Sequence, residues 1–131
     1  MLTTLATLPL PTLAHLCGDG VVGALALQLA FVCDVRVAQP SVHLDLGARS
    51  GVLPGTLAFK LAKHVGAGTA MGMMALDEPV PAETAYRVGA VQRIAHEVDP
   101  ALLGRAPHGA ALLLCRYLLH DAVWTLSLIH I

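Results

Sequence analysis

The chain has 131 residues, which is enough for one domain. Hydrophobic residues make up 56% of it and charged residues 13%, which excludes a disordered chain because so apolar a sequence cannot stay solvated. The net charge is −1, so no excess of positive charge supports nucleic-acid binding.

The sequence favours neither a membrane span nor a secretion signal. The uncharged stretch from Gly20 to Cys33 is shorter than the roughly 20 apolar residues that a spanning helix needs, and Gln28 interrupts it. The apolar N-terminus lacks the basic region of a signal peptide, and Pro9 and Pro11 interrupt it. The chain has three cysteines without CxxC spacing: Cys17, Cys33 and Cys115. Scattered cysteines of this kind are typical of reduced thiols, so the sequence predicts a cytoplasmic protein.

In the first half of the chain, turn residues separate short apolar segments. The sequence predicts a buried strand at Pro11–Leu16, a turn at Gly18–Gly20 and an all-apolar helix at Val21–Val32. Beyond that helix, alternation predicts a strand at Asp34–Ala38, a turn at Gln39-Pro40 and a further strand at Val42–Leu44.

In the second half, predicted helices dominate. A loop rich in Gly, Ser and Pro runs from Gly47 to Gly55, and Thr56 caps a helix that ends at Lys63. The remaining predicted elements are a break at Gly66-Ala67-Gly68, helices at Thr69–Leu76 and Pro81–Val88, a stop at Gly89, a strand at Ala90–Ile94 and a helix from Pro107 to about Trp124. Strands alternating with helices predict an α/β fold.

The last residues of the chain, Leu126–Ile131, read LSLIHI. This string matches a forward translation of a transposase adapter used in sequencing libraries, so we expect it to be a non-native tail. The sequence therefore predicts one partial domain over residues 1–125 and a tail over residues 126–131.

Several short motifs follow one another in a recognisable order. A strand that ends at Gly18 leads to a small-residue turn at Gly23-Ala24 and to an apolar helix that closes on Cys33-Asp34. A Gly-x-x-Pro-Gly loop follows at Gly51–Gly55, and the next helix ends in Val65-Gly66. This order resembles the crotonase family, the enoyl-CoA hydratase/isomerase superfamily. The resemblance implies a partial crotonase-like α/β fold, made of the later ββα spiral turns and the helices that follow, with the family's N-terminal half missing.

The resemblance also implies an oxyanion hole, in which two backbone N–H groups hold the carbonyl of an acyl thioester. One donor would come from the family's missing half. Counting forward from Gly18 places the other at Gly23, whereas counting back from Cys33-Asp34 places it at Leu25. We prefer Gly23, because glycine lets the backbone approach a ligand closely. The alternative is that the glycines only make a tight turn between strand and helix.

Hydratases of the family use two carboxylates, and neither is evident here. The resemblance places the first at Ala26 or Gln28 and the second near Gly47 or Ala48, none of which is acidic. Asp45 is the nearest carboxylate and the candidate for a substitute role, with a solvated loop residue as its alternative. The histidines show no metal-ligand spacing with a cysteine or an acid, so we expect no metal site.

Two functions remain open. The first is an acyl-thioester hydratase, dehydratase or isomerase, acting on a CoA-bound or carrier-bound substrate with no further cofactor; Ala14-His15 is similar to members that work in polyketide β-branching. The second is a non-catalytic crotonase-like interaction domain or an inactive gene fragment, which the absent acids favour. Since the family forms trimers and hexamers, we expect the chain to self-associate.

Overall fold

A computed structural model describes residues 7, 12–18, 20–47, 55–76, 78–97, 112–117 and 125–129. Its elements in chain order are β1 (Leu13–Leu16), β2 (Gly20–Val22), α1 (Ala24–Val32), β3 (Val35–Ala38), β4 (Val42–Leu44), α2 (Gly55–Val65), α3 (Ala67–Ala75), β5 (Val80–Pro81), α4 (Ala82–Arg87), β6 (Arg93–Ile94), β7 (Leu112–Tyr117) and β8 (Thr125–Ile129). Strands alternate with helices, as the sequence predicts.

The strands form two sheets. The larger has the order β6-β3-β1-β7-β8, in which β1 runs parallel to both β3 and β7, β3 runs parallel to β6, and β7 and β8 are antiparallel. The smaller has the order β2-β4-β5, with β2 parallel and β5 antiparallel to β4. Because β1 and β2 are consecutive in the chain but belong to different sheets, the turn between them joins the two sheets.

Helix α1 and strand β1 supply much of the core. All four residues of β1 are buried, as expected for a parallel strand covered on both faces. Helix α1 is apolar throughout and buries Ala26, Leu27, Leu29, Ala30 and Phe31. No described helix is long and apolar enough to cross a membrane.

Three predicted boundaries near glycines are wrong. Helix α2 runs from Gly55 to Val65, so Thr56 lies inside it rather than capping it, and it ends beyond Lys63. Val21 and Val22 belong to β2, so the apolar helix begins at Ala24 rather than at Val21. The segment Val21–Val32 is apolar on all faces, so the sequence has no periodicity that would mark where its helix begins. Pairing with β4 holds Val21 and Val22, which are β-branched, in a strand. Gly66 alone, at a φ of 86°, separates α2 from α3, so Ala67 and Gly68 are helical.

The predicted strand after α4 is shorter than expected, and the predicted last helix is wrong wherever the structure describes it. Only Arg93–Ile94 form β6. Leu112–Tyr117 form β7, whose Leu114 pairs with Leu13 of β1. A short apolar run does not distinguish a buried strand from a buried helix, and here the partner strand decides. Residues 107–111 and 118–124 of that prediction, and 48–54 of the predicted loop, lie outside the described residues.

Strand β8 includes four residues of the segment that we expect to be a non-native tail. Its backbone pairs with β7, from Thr125 opposite Arg116 to Ile129 opposite Leu112. The origin of Leu126–Ile131 stays a prediction.

Candidate functional site

The smaller sheet brings the two predicted site residues together. Val22 of β2 is in register with Leu44 of β4, and the Asp45 N–H donates to the Val22 carbonyl at 2.9 Å. Gly23 directly follows β2, and Asp45 directly follows β4. Since neighbouring strands lie about 4.8 Å apart, Gly23 and Asp45 are side by side at the carboxyl edge of two parallel strands.

Gly23 is the N-cap residue of α1. Its carbonyl accepts the Leu27 N–H at 3.0 Å, which is the first hydrogen bond of the helix. No described residue accepts a hydrogen bond from the Gly23 N–H. This exposed donor lies at the helix end where the macrodipole is positive, so it can bind an anionic oxygen.

The chain itself does not require glycine at position 23. The φ of −75° lies in a region that any residue adopts, and a Cβ built there would meet no atom of the described residues within 4 Å. A methyl group therefore has room in the folded chain, so an alanine substitution probes the approach of a ligand rather than the packing of the turn.

Leu25, the alternative donor, lies in the first turn of the same helix. Its N–H, like the others of that turn, has no carbonyl one turn earlier in the helix to accept it. Its side chain is 65% exposed, although leucine is apolar. Both counts from the sequence thus lead to one end of α1, and the two-residue difference between them stays within a single turn.

Asp45 is half-buried, and local hydrogen bonds hold it. Its Oδ1 accepts the Gly47 N–H at 2.9 Å, which is the geometry of an Asx turn. No described residue donates to its second carboxylate oxygen. Asp45 therefore shapes the end of β4 and still has an oxygen that can accept a proton or orient a water.

The positions that the resemblance assigns to catalytic acids carry no carboxylate. Ala26 is buried and Gln28 half-buried on α1, while Gly47 is buried after β4. Ala48 lies outside the described residues. Within the described residues, no group of three or more His, Cys, Asp or Glu could hold a metal ion.

Sequence reasoning missed a buried arginine. The Arg36 side chain in β3 is fully buried, where its Nε donates to the Ala90 carbonyl at 2.7 Å and one terminal nitrogen donates to the Cys33 carbonyl at 2.8 Å. The guanidinium carbon lies 4.9 Å from the centre of the Phe31 ring. Burial lowers the pKa of Arg36 to about 10, although Cys33 and Asp34 counteract the shift.

The other terminal nitrogen of Arg36 lies 3.3 Å from His64 Nδ1 on α2. Arginine can only donate, so this nitrogen of His64 is the acceptor and carries no proton. Burial first, and then the charges of Arg36, Lys60 and Lys63, lower the pKa of His64. The alternation of Asp34–Ala38 predicts only a strand. Strand β3 lies inside the sheet, between β6 and β1, and backbone carbonyls replace water around the guanidinium.

Asp34, which closes the Cys-Asp motif, holds the start of β1. Its Oδ2 accepts both the backbone N–H of Thr12, at 2.7 Å, and the Thr12 hydroxyl, at 2.9 Å. The Asp34 N–H donates in return to the Thr12 Oγ1 at 3.0 Å. Asp34 therefore has a structural role.

Comparison with known proteins places the chain in a family. The family model for enoyl-CoA hydratase/isomerase matches residues 1–108. Among solved structures, the chain is 29% identical to Pseudomonas aeruginosa DspI, with a TM-score of 0.66, covering 78% of this chain and 40% of that one. It is 27% identical to ThnE from S. clavuligerus, with a TM-score of 0.65, covering 79% of this chain and 50% of that one.

A monofunctional enoyl CoA isomerase from M. smegmatis is also similar, at 27% identity and a TM-score of 0.61, over 71% of this chain and 44% of that one. The chain thus spans half or less of the length of each of these structures, which makes its described part a partial crotonase-like fold. With a family model matching most of its length, the chain belongs to the enoyl-CoA hydratase/isomerase family.

Proposed function

We propose that this chain binds the carbonyl of an acyl thioester, carried by CoA or by an acyl carrier, at the N-terminal end of α1. In this proposal the Gly23 N–H is one oxyanion donor and Asp45 is the neighbouring carboxylate. The observation that carries the proposal is the register of β2 with β4, which puts both residues at one sheet edge.

The chemistry of the family needs an N–H donor and a carboxylate near the thioester carbonyl. Negative charge develops on the thioester oxygen as an enolate forms, so a preorganised N–H donor stabilises the transition state more than the ground state. The end of α1 provides such a donor in the Gly23 N–H, which no described residue accepts. The Val22 carbonyl points toward β4, where it accepts the Asp45 N–H, so the Gly23 N–H of the same trans peptide points away from β4. In this proposal the substrate extends from that donor across the sheet edge to the Asp45 carboxylate, which accepts a proton from it or orients water.

We expect this chain to be a weak hydratase at best. Enolate chemistry in the family uses two oxyanion donors and at least one carboxylate, and the two aligned acid positions hold no acid. The loss of one oxyanion donor costs about 10²–10³ in rate. The loss of a general base costs roughly another 10²–10⁴.

The test is hydration of crotonyl-CoA by the purified chain, with Asp45→Asn and Glu83→Gln measured beside it. Glu83 is the matched control, an exposed carboxylate on α4 that pairs with Arg87. Slow turnover that only Asp45→Asn abolishes supports Asp45 as the base. Turnover at the rate of ordinary hydratases, unchanged in Asp45→Asn, contradicts the proposal.

A non-catalytic interaction domain is the second candidate, and exposed apolar side chains favour it. Among the residues whose side chains the structure describes, four large apolar ones are more than 60% exposed: Leu25, Phe59, Met71 and Leu76. Exposed apolar surface of this kind marks sites of association, and the family resemblance implies trimers or hexamers. We expect light scattering at micromolar concentration to show oligomers, and a stable monomer would count against this second function.

A further inference from the structure

The turn that leads from β1 into β2 is bound by side chains of another turn. Gly18 and Gly20 have φ values of 116° and 138°, which L-amino acids with a side chain rarely adopt. The Gly18 N–H donates to Gln39 Oε1 at 2.9 Å, and the Ser41 hydroxyl donates to the Gly18 carbonyl at 3.0 Å. Both backbone polar groups of Gly18 are thus bound by side chains from the turn between β3 and β4.

Gln39 also reaches a third segment. Its Nε2 donates to the His96 carbonyl at 2.7 Å, while its backbone N–H donates to the Leu16 carbonyl at 2.9 Å. One residue therefore connects the end of β1, the turn between β3 and β4 and the chain beyond β6. A side-chain amide that uses both its acceptor and its donor in this way restricts the relative positions of the segments it joins.

We propose that Gln39 and Ser41 are positioning residues for the thioester carbonyl, acting through Gly18 and strand β2. Strand β4 begins directly after Ser41. Its last pair with β2 is Leu44 with Val22, the residue before Gly23. In this proposal the bonds to Gly18 set the position from which β2 enters the sheet, and β2 ends at the peptide that carries the Gly23 N–H. This inference rests on the proposed function, because it needs a carbonyl for Gly23 to bind.

Gln92 offers a matched control elsewhere in the chain. Its Oε1 accepts the Arg36 N–H at 2.9 Å, and its Nε2 donates to the Gly89 carbonyl at 3.1 Å. The side chain makes the same two kinds of bond as that of Gln39 without contacting the Gly18 turn. Gln92→Ala therefore reports the cost of losing such a side chain, separately from any effect on the turn.

The first measurement is amide hydrogen exchange of the free chain. Gln39→Ala and Ser41→Ala each remove a bond to Gly18, so exchange at the Gly18 amide and across strand β2 should become roughly five- to tenfold faster. Gln92→Ala should leave that segment unchanged. Gln39→Glu retains an oxygen that can accept the Gly18 N–H but cannot donate to the His96 carbonyl, so it should restore part of the protection. Equal exchange in Gln39→Ala and Gln92→Ala overturns the inference.

The second measurement is the 13C chemical shift of the thioester carbonyl in labelled crotonyl-CoA, at saturating concentration. Binding by the Gly23 N–H polarises the carbonyl and should move its resonance downfield in the wild-type chain and in Gln92→Ala, but much less in Gln39→Ala. A full shift in Gln39→Ala overturns this inference and leaves the proposed function intact. No shift in the wild-type chain contradicts the proposed function itself, and the positioning role falls with it.

Discussion

Replacing Arg36 with methionine removes every hydrogen bond of a fully buried guanidinium while keeping a long side chain in the core. The Ala90 and Cys33 carbonyls lose donors at 2.7 and 2.8 Å, and His64 loses a donor at 3.3 Å. A buried acceptor left without a partner costs about 1–3 kcal/mol, so the two carbonyls together lose about 2–6 kcal/mol.

An opposing effect reduces this loss. Burial lowers the pKa of Arg36 to about 10, because removal from water disfavours the charged form. Methionine removes that desolvation penalty and still buries apolar atoms. We therefore expect Arg36→Met to lower the free energy of unfolding by about 2–4 kcal/mol, a large share of the roughly 5–15 kcal/mol of a typical domain.

The assay is urea unfolding, monitored by far-ultraviolet circular dichroism. The urea midpoints of the variants are compared, provided that the free energy of unfolding depends on urea concentration with the same slope in each. Arg36→Lys keeps the charge but not the planar fork, so one ammonium cannot reach all three acceptors and we expect no rescue. The control is Arg87→Met, because Arg87 makes an exposed ion pair with Glu83 that should contribute less than about 1 kcal/mol. Wild-type stability in Arg36→Met, or full rescue by lysine, would refute the reasoning.

Further predictions concern His64, Asp34 and Gly23. The pKa of His64 lies below its ordinary 6.5 in the folded chain, so the unfolded chain takes up the proton first as pH falls. The urea midpoint of the wild-type chain should therefore decrease below about pH 6.5. An equal decrease in His64→Gln would contradict this. Asp34→Ala removes two hydrogen bonds to Thr12 and should cost about 1–3 kcal/mol in the same assay, whereas an unchanged midpoint would refute the structural role of Asp34. Gly23→Ala should keep the melting temperature within about 2–4 °C but weaken binding of crotonyl-CoA in calorimetry, because a methyl group would meet the ligand and not the chain; wild-type affinity would exclude a close approach at Gly23.

The candidate site was only partly predictable from the sequence. The order of motifs made Gly23 a candidate, and Asp45 became one as the carboxylate nearest to an assigned position, since turns and motifs are local features of the sequence. The sequence could not show that Gly23 and Asp45 are neighbours. The register of Val22 with Leu44, which pairs two separate segments of the chain, brings them together. The hydrogen bonds of Gln39 were hidden for the same reason: the sequence marks it only as a turn residue, yet its side chain binds Gly18 and the His96 carbonyl.

By itself, the sequence determined the α/β class and the places where the chain turns, because glycine, proline and hydrophobic alternation act through local geometry. Strands β3 and β4 lie where alternation placed them. Tertiary structure alone decided what apolar segments without a clear period become: Val21–Val22 and Leu112–Tyr117 are strands because β4 and β1 supply partners for their backbone groups. It also decided that Arg36 is buried, since only the folded chain brings the Ala90 and Cys33 carbonyls and His64 within reach of one guanidinium.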